Sequence, residues 1–237
     1  MSELIQEPIH APDSPVGDLS FDIVFDNTQA ALHNRALLDE AQLCCINILG
    51  SAGSGKTRLL EQTVTALQQT LHIGVMNGEV LFDLAPEYMH THTSPLVADL
   101  TTERPCHLNA ALLADGLERF DQHGGLVRFD LLFTEHVGHL VAPARMALGE
   151  HLRVVLVAVT EDENRPLQAP LTFHCADCVI VTKLDLLPYH AFSLAQFMEN
   201  IHAVHPHLPV ISLSAETGQG MEAWVDWLRM RIETMSF

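Results

Sequence analysis

Gly50, Ser51, Ala52, Gly53, Ser54, Gly55, Lys56 and Thr57 place three glycines ahead of a lysine and a hydroxyl. This is the G-x-x-x-x-G-K-[ST] spacing, and the chemistry it serves is the holding of an anion. Glycines let backbone N–H groups curl around phosphate oxygens, and a helix starting near Lys56 adds its positive end. There Lys56 reaches the β and γ phosphates of a nucleotide, and the Thr57 hydroxyl takes one position on Mg²⁺. Arg58 follows directly and joins the nucleotide-contacting set. A chance glycine-rich turn would not need the flanks seen here. A continuous apolar run, residues 43–49, precedes the loop. An amphipathic helix over 58–71 follows it, with Leu59, Leu60, Val64, Leu67 and Leu71 at helical spacing.

A second motif, Thr182, Lys183, Leu184 and Asp185, follows an apolar strand at 178–181 and resembles the N/T-K-x-D element of GTPases. The Asp185 carboxylate can accept two hydrogen bonds from guanine N1 and N2, which adenine cannot supply. A site built for both bonds discriminates strongly, because the wrong base leaves them unmade. The Lys183 stem packs over the purine. Further on, Ser214, Ala215, Glu216, Thr217 and Gly218 resemble the second base-side loop of GTPases, where backbone near Ser214 and Ala215 meets guanine. The chain has only two lysines, Lys56 and Lys183, and each falls inside a nucleotide motif. The rival reading of Asp185 is a cap at an ordinary strand-to-helix corner. The rival nucleotide is ATP, in a kinase.

Carboxylates for the metal lie elsewhere. Glu135 ends an apolar run beginning at Leu131 and is followed by Gly138. The acid would hold Mg²⁺ directly or through water, and the Gly138 N–H would sense the γ-phosphate. Glu79, at the end of a strand expected over 72–80, is a second candidate Mg²⁺ ligand. Asp83 either orients the attacking water or is a solvated loop acid.

The elements that must position these residues alternate. Strands are expected at 43–49, 72–80, from 131, 154–159, 178–181 and 210–213. Helices are expected at 34–41, 58–71, 109–120, 194–204 and 221–232, with an acidic loop at 161–166. That alternation predicts an α/β fold: a P-loop NTPase with a mostly parallel sheet covered by helices on both faces. Residues 1–30, with Pro8, Pro12, Pro15 and Gly17, are expected as a flexible arm with a short strand or helix near Phe21–Phe25, leaving one domain over 31–237. The chain has 12 Lys+Arg against 30 Asp+Glu, a formal charge of −18. So acidic a surface repels phosphate backbones, which argues against nucleic acid as a partner. No signal segment or membrane-length apolar run is read, and five cysteines suggest no disulfide framework, so a cytoplasmic location is expected.

From about residue 34 to 228 the chain resembles the HypB family of hydrogenase nickel-incorporation GTPases. The resemblance rests on residues 34–40, Cys106-His-Leu-Asn-Ala110, residues 135–144, Leu148-Gly-Glu150, residues 154–170, 183–189 and 213–228. It implies a GTP-hydrolysing enzyme that dimerises on GTP binding. It implies a Ni²⁺ or Zn²⁺ site, and delivery of nickel to a metalloenzyme, a nickel–iron hydrogenase, alongside a nickel-handling accessory protein; the rival readings are a GTPase serving another metalloenzyme and a nickel- and nucleotide-binding scaffold that does not turn over. The family's metal-binding Cys-His pair corresponds to Cys106 and His107. Its further cysteine corresponds here to Ala142. His139, three residues earlier, stands where the family has asparagine and is the expected replacement imidazole. Glu79 replaces the usual Asp, Thr182 the usual Asn, and His136 another asparagine. Two Cys106-His107 pairs across a dimer axis would give an S₂N₂ set suited to tetrahedral Zn²⁺ or square-planar Ni²⁺.

Other groups are read as structural. Cys175-Ala-Asp-Cys178 has redox or zinc spacing, yet Cys178 opens a buried strand and no second pair accompanies it. Cys44 and Cys45 are expected in the core. His90, His92, His202, His205 and His207 are expected at the surface.

Overall fold

A computed structural model describes residues 16–77, 97–99, 109–122, 126–135 and 147–235. Strand β1 (Cys44–Gly50) is buried along its whole length. Its side chains alternate between faces. Cys44, Ile46 and Ile48 pack against helices α2 (Lys56–Leu67) and α7 (Met221–Thr234). Cys45 joins a cluster with Leu38 of α1 (Val16–Glu40) and Leu113 of α3 (Ala110–Gln122). A strand covered on both sides must be apolar at nearly every position, which is why 43–49 reads as an apolar run interrupted only by Asn47.

Around β1 lie β2 (Ile73–Asn77), β3 (Val97–Asp99), β4 (Leu131–Glu135), β5 (Leu152–Ala158), β6 (Cys178–Thr182) and β7 (Val210–Ser212). The seven form one sheet, in the order β3-β2-β4-β1-β5-β6-β7. Every pairing is parallel. The β5–β6 half is covered on its second face by α5 (Pro170–His174) and α6 (Leu194–Val204), through Phe173, Phe197 and Ile201. On the first face Trp224 of α7 is fully buried, and its Nε1–H donates to Thr63 Oγ1 at 2.8 Å.

Three stretches differ from the sequence expectation. Helix α1 begins at Val16, not near residue 34, so much of the expected arm is helical. Its buried positions include Ala31, Asn34 and Leu38. The polar Asn34 breaks the apolar spacing that would have revealed the helix. Strand β3 has three residues, too few to show a period. The acidic loop expected at 161–166 runs into two short helices, α4 (Arg165–Gln168) and α5, each with a proline in its first turn.

The polar residue of β1, Asn47, is fully buried and anchors a network on the α1 side. It donates to Glu150 Oε1 at 3.2 Å and accepts from Thr134 Oγ1 at 3.2 Å. Glu150 also accepts from the Leu148 N–H at 2.7 Å and from the Arg153 guanidinium. Burial alone would raise the Glu150 pKa. The charge and hydrogen bonds of Arg153, with the Leu148 and Asn47 donors, outweigh it and hold the carboxyl below its usual value of 4.5. Beside it the Cys45 N–H donates to His151 Nδ1 at 3.0 Å, so Nδ1 carries a lone pair. His151 Nε2 therefore bears the proton and donates to Asp39 at 2.8 Å. The ring is thus neutral. Burial, assisted by Arg35, lowers its pKa despite the Asp39 contact.

Glu150→Gln should destabilise the fold by on the order of 3 kcal/mol, since it leaves Arg153 buried without its counter-charge. Urea denaturation measures this. Because the folded-state pKa of Glu150 is depressed, its contribution is complete above pH 4.5 and is lost as pH falls below that value. Across that acid window the wild type should lose more stability than the variant.

Candidate nucleotide-binding site

The motifs converge at the carboxyl ends of β1, β4, β6 and β7, on both sides of the strand where the chain switches halves of the sheet. Gly50 ends β1 and opens the phosphate loop. A Cβ there would lie 2.4 Å from Ser54 Oγ and 3.2 Å from Leu156, so a side chain would have to displace the Ser54 hydroxyl and press on β5. Gly53 and Gly55 take positive φ angles of 75° and 91°. Gly55 caps α2, which starts at Lys56. Ser51 and Ala52 complete the turn, where the Ser54 N–H donates to the Ser51 carbonyl at 3.0 Å. Lys56 is 7% exposed. Its Nζ donates to the carbonyls of Gly50 and Ser51, at 3.0 and 3.1 Å, placing the ammonium within the curl of the loop.

Thr57 Oγ1 donates to Glu135 Oε1 at 3.1 Å. A hydroxyl and a largely buried carboxylate thus stand together beside the phosphate loop. Two hard oxygen donors in that place suit Mg²⁺. The structure therefore brings together two groups far apart in sequence that were separately expected on the metal.

The base side is joined to the phosphate side by one short bond. Thr182 Oγ1 donates to the Ser54 carbonyl at 2.6 Å, and both residues are buried. Lys183 then adopts a left-handed φ of 60°. That conformation costs a non-glycine residue roughly 1–2 kcal/mol, and it turns the chain so that Asp185 follows within two residues. Ser214 Oγ donates to Asp185 Oδ1 at 2.5 Å, and the Thr217 N–H donates to Ser214 Oγ at 3.2 Å. The carboxylate is held by a hydroxyl that is itself held by the following loop. Together Gly55, Arg58, Thr182, Asp185 and Ala215 border a pocket of about 210 Å³. Glu216, to which sequence reading gave no role, lines the same pocket and pairs with Arg58 at 3.3 Å.

Glu79, Asp83, Cys106, His107, His136, Gly138, His139 and Ala142 lie outside the described residues, as do His90 and His92. Cys44, Cys45 and Cys178 are buried, and burial pushes the Cys44 and Cys178 thiols up to about 12. Cys175 is exposed and unpaired. Among the described residues no group of three or more His, Cys, Asp or Glu could hold a metal ion. None of their helices is long and apolar enough to cross a membrane.

The nucleotide-binding domain described as CobW/HypB/UreG matches residues 44–212. The hydrogenase maturation factor HypB of Azotobacter vinelandii is 36% identical over 222 residues, covering 92% of this chain and 72% of that protein. The probable hydrogenase maturation factor HypB of Methanocaldococcus jannaschii is 30% identical, over 91% of this chain and 96% of that one. The crystal structure of HypB from Archaeoglobus fulgidus superposes with a TM-score of 0.79 at 31% identity, covering 87% of this chain and 98% of that one. A nickel complex of HypB from Helicobacter pylori superposes with a TM-score of 0.81 at 26% identity, covering 90% and 100%.

Thr182→Val keeps the shape of the side chain and removes the bond to Ser54. It should weaken nucleotide binding by roughly three- to ten-fold, the value of one buried hydrogen bond. Titration with a fluorescent guanine nucleotide reads this directly.

Proposed function

The chain belongs to the HypB family of hydrogenase maturation factors, and from that premise we propose that it is a GTP-hydrolysing metallochaperone that helps insert nickel into a metalloenzyme, a nickel–iron hydrogenase, during maturation. One observation carries the guanine assignment. Asp185, oriented by Ser214, faces a pocket that the Thr182–Ser54 bond ties to the phosphate loop.

In this reading the loop N–H groups from Gly50 to Thr57 and the Lys56 ammonium bind the phosphates and neutralise charge as it shifts toward the leaving oxygen. Thr57 and Glu135 hold Mg²⁺, with Glu79 as a further ligand; the ion supplies charge neutralisation at the phosphates. The Gly138 N–H senses the γ-phosphate, Asp83 orients the attacking water, and Arg58 flanks the nucleotide. Lys183 covers the purine, Asp185 pairs with guanine N1 and N2, and backbone at Ser214 and Ala215 meets the base. The γ-phosphoryl group passes to water, giving GDP and inorganic phosphate.

Nickel, or zinc in its place, is the cargo. Cys106 and His107 bind it, with His139 supplying the imidazole that offsets Ala142. The site forms between two copies of the chain joined on GTP binding, and the cargo passes to an accessory protein or the target metalloenzyme. The setting is a reducing cytoplasm, consistent with four free thiols among the described residues. One P-loop domain, with α1 packed onto it, carries all of this.

Lys56→Ala should abolish GTP turnover, followed as phosphate release. Asp185→Asn replaces one acceptor by a donor, which suits the C2 carbonyl of xanthine rather than the amino group of guanine. It should lower GTP affinity by roughly 100-fold or more and transfer preference to xanthosine triphosphate. A nucleotide competition that leaves adenine and guanine equal would overturn the guanine assignment. For the cargo, Ni²⁺ is titrated into protein loaded with a non-hydrolysable GTP analogue while mass is followed by sedimentation. One tight nickel per dimer, lost in Cys106→Ala, is the expected result. Dimerisation without metal and indifferent to Cys106 would remove metal delivery and leave the GTPase.

A further inference from the structure

Two ties join the base side of the nucleotide pocket to the phosphate side. The first, from Thr182 Oγ1 to the Ser54 carbonyl, is buried. The second lies at the rim. Arg58 Nε stands 3.3 Å from Glu216 Oε2, and the two side chains are 46% and 71% exposed. Arg58 is in the first turn of α2, two residues beyond Lys56. Glu216 is on the loop after β7, whose Ser214 orients Asp185. Both residues line the pocket with Gly55, Lys183 and Asp185, so the pair spans its mouth.

Each partner is also held by its own side. Arg58 Nη1 donates to Glu61 Oε2 at 3.0 Å, one turn along the same helix. That contact keeps the guanidinium on α2 when Glu216 is changed. Glu216 sits in a closed turn: the Ser214 N–H donates to the Gln219 carbonyl at 2.8 Å, and the Gly218 N–H to the Ser214 carbonyl at 2.9 Å. The loop backbone and the Ser214–Asp185 bond are therefore set without the ion pair. An exposed pair of this kind adds little to the fold. What it does join is the two sides of a pocket that a departing nucleotide must pass between.

We propose that Glu216 is a positioning residue for the bound guanine nucleotide: through Arg58 it ties the base-side loop to α2 across the pocket mouth and slows nucleotide release. This rests on the nucleotide lying between the phosphate loop and Asp185, as assigned above. The buried contacts decide which base is taken. The rim contact decides how long the nucleotide stays, and with it how long the protein remains in one nucleotide state.

The full chain is loaded with radiolabelled GDP, and loss of label is followed after addition of excess unlabelled GDP. Glu216→Gln keeps the size of the side chain and removes its charge. Release should accelerate about three-fold, the weight of one exposed ion pair. The melting temperature and the preference for guanine over adenine should hold, because the bonds within the loop and the Asp185 carboxylate are untouched. As NaCl rises from roughly 0.05 M to roughly 0.5 M, the gap between wild type and Glu216→Gln should close, since salt screens exposed charges. In an Arg58→Gln background, Glu216→Gln should cause no further acceleration, because the two residues act as one pair.

An unchanged release rate in Glu216→Gln overturns the proposal. So does an acceleration that persists in the Arg58→Gln background, which would place the Glu216 carboxylate on the nucleotide itself. An acceleration indifferent to salt, or matched by a fall in melting temperature, assigns the residue to the fold instead and overturns the proposal too. Equal retention of GDP and ADP by the wild type is a different failure: it removes the guanine assignment on which the proposal rests.

Discussion

Strand β1 is enclosed on both faces, and it must deliver Gly50 to the edge of the sheet at one fixed point. Those two requirements organise the domain. Burial on both sides demands helices in front and behind, which α2 with α7 and α1 with α3 supply. Delivery of Gly50 demands that the following loop turn tightly enough for α2 to start at Lys56, which Gly53 and Gly55 permit through positive φ. A side chain at Gly50 would collide with Ser54 and Leu156. The phosphate site is therefore an outcome of packing as much as of local motif.

The base side depends on that fixed point. Thr182 stands where asparagine is usual in the family resemblance, yet its hydroxyl still reaches the Ser54 carbonyl. A shorter side chain does the tying because β6 ends close to the loop. The Ser214–Asp185 bond then sets the carboxylate. Both bonds are short and span more than twenty positions of sequence, so the pocket is defined by relations between strand ends rather than by any one loop. The exposed Arg58–Glu216 pair at the rim belongs to a different class. Solvent screens it, and surface ion pairs contribute little to stability.

The α1 side of the sheet sets a polar network beside its apolar cluster. Asn47, Thr134, Glu150 and Arg153 form a bonded set inside the domain, and Asn34 and Asn27 extend it along α1. Buried polar groups are costly unless matched, and when matched they specify one geometry rather than a family of near-equivalent packings. Through such bonds α1 holds Ala110, Ala147 and Leu148 in one defined relation.

Contiguous motifs were legible in the sequence because their chemistry is local: Gly50 to Thr57 and Thr182 to Asp185 carry their meaning within a few residues, and the apolar runs of β1, β5 and β6 announce strands buried on both faces. The alternation of strands and helices likewise sufficed for the α/β class and the parallel sheet. The extent of α1 was not legible. On its inner face Asn27 and Asn34, whose partners lie 76 to 120 positions away, alternate with Ala31 and Leu38, so the apolar period is interrupted. Strand β3 was too short to show a pattern, and the Thr57–Glu135 contact exists only because β1 and β4 are neighbours in the sheet. Residue types and spacing determined which chemistry this chain carries. The packing of strand ends and one helix face decided which of those residues meet, because hydrogen bonds between distant segments leave no periodic trace in the sequence.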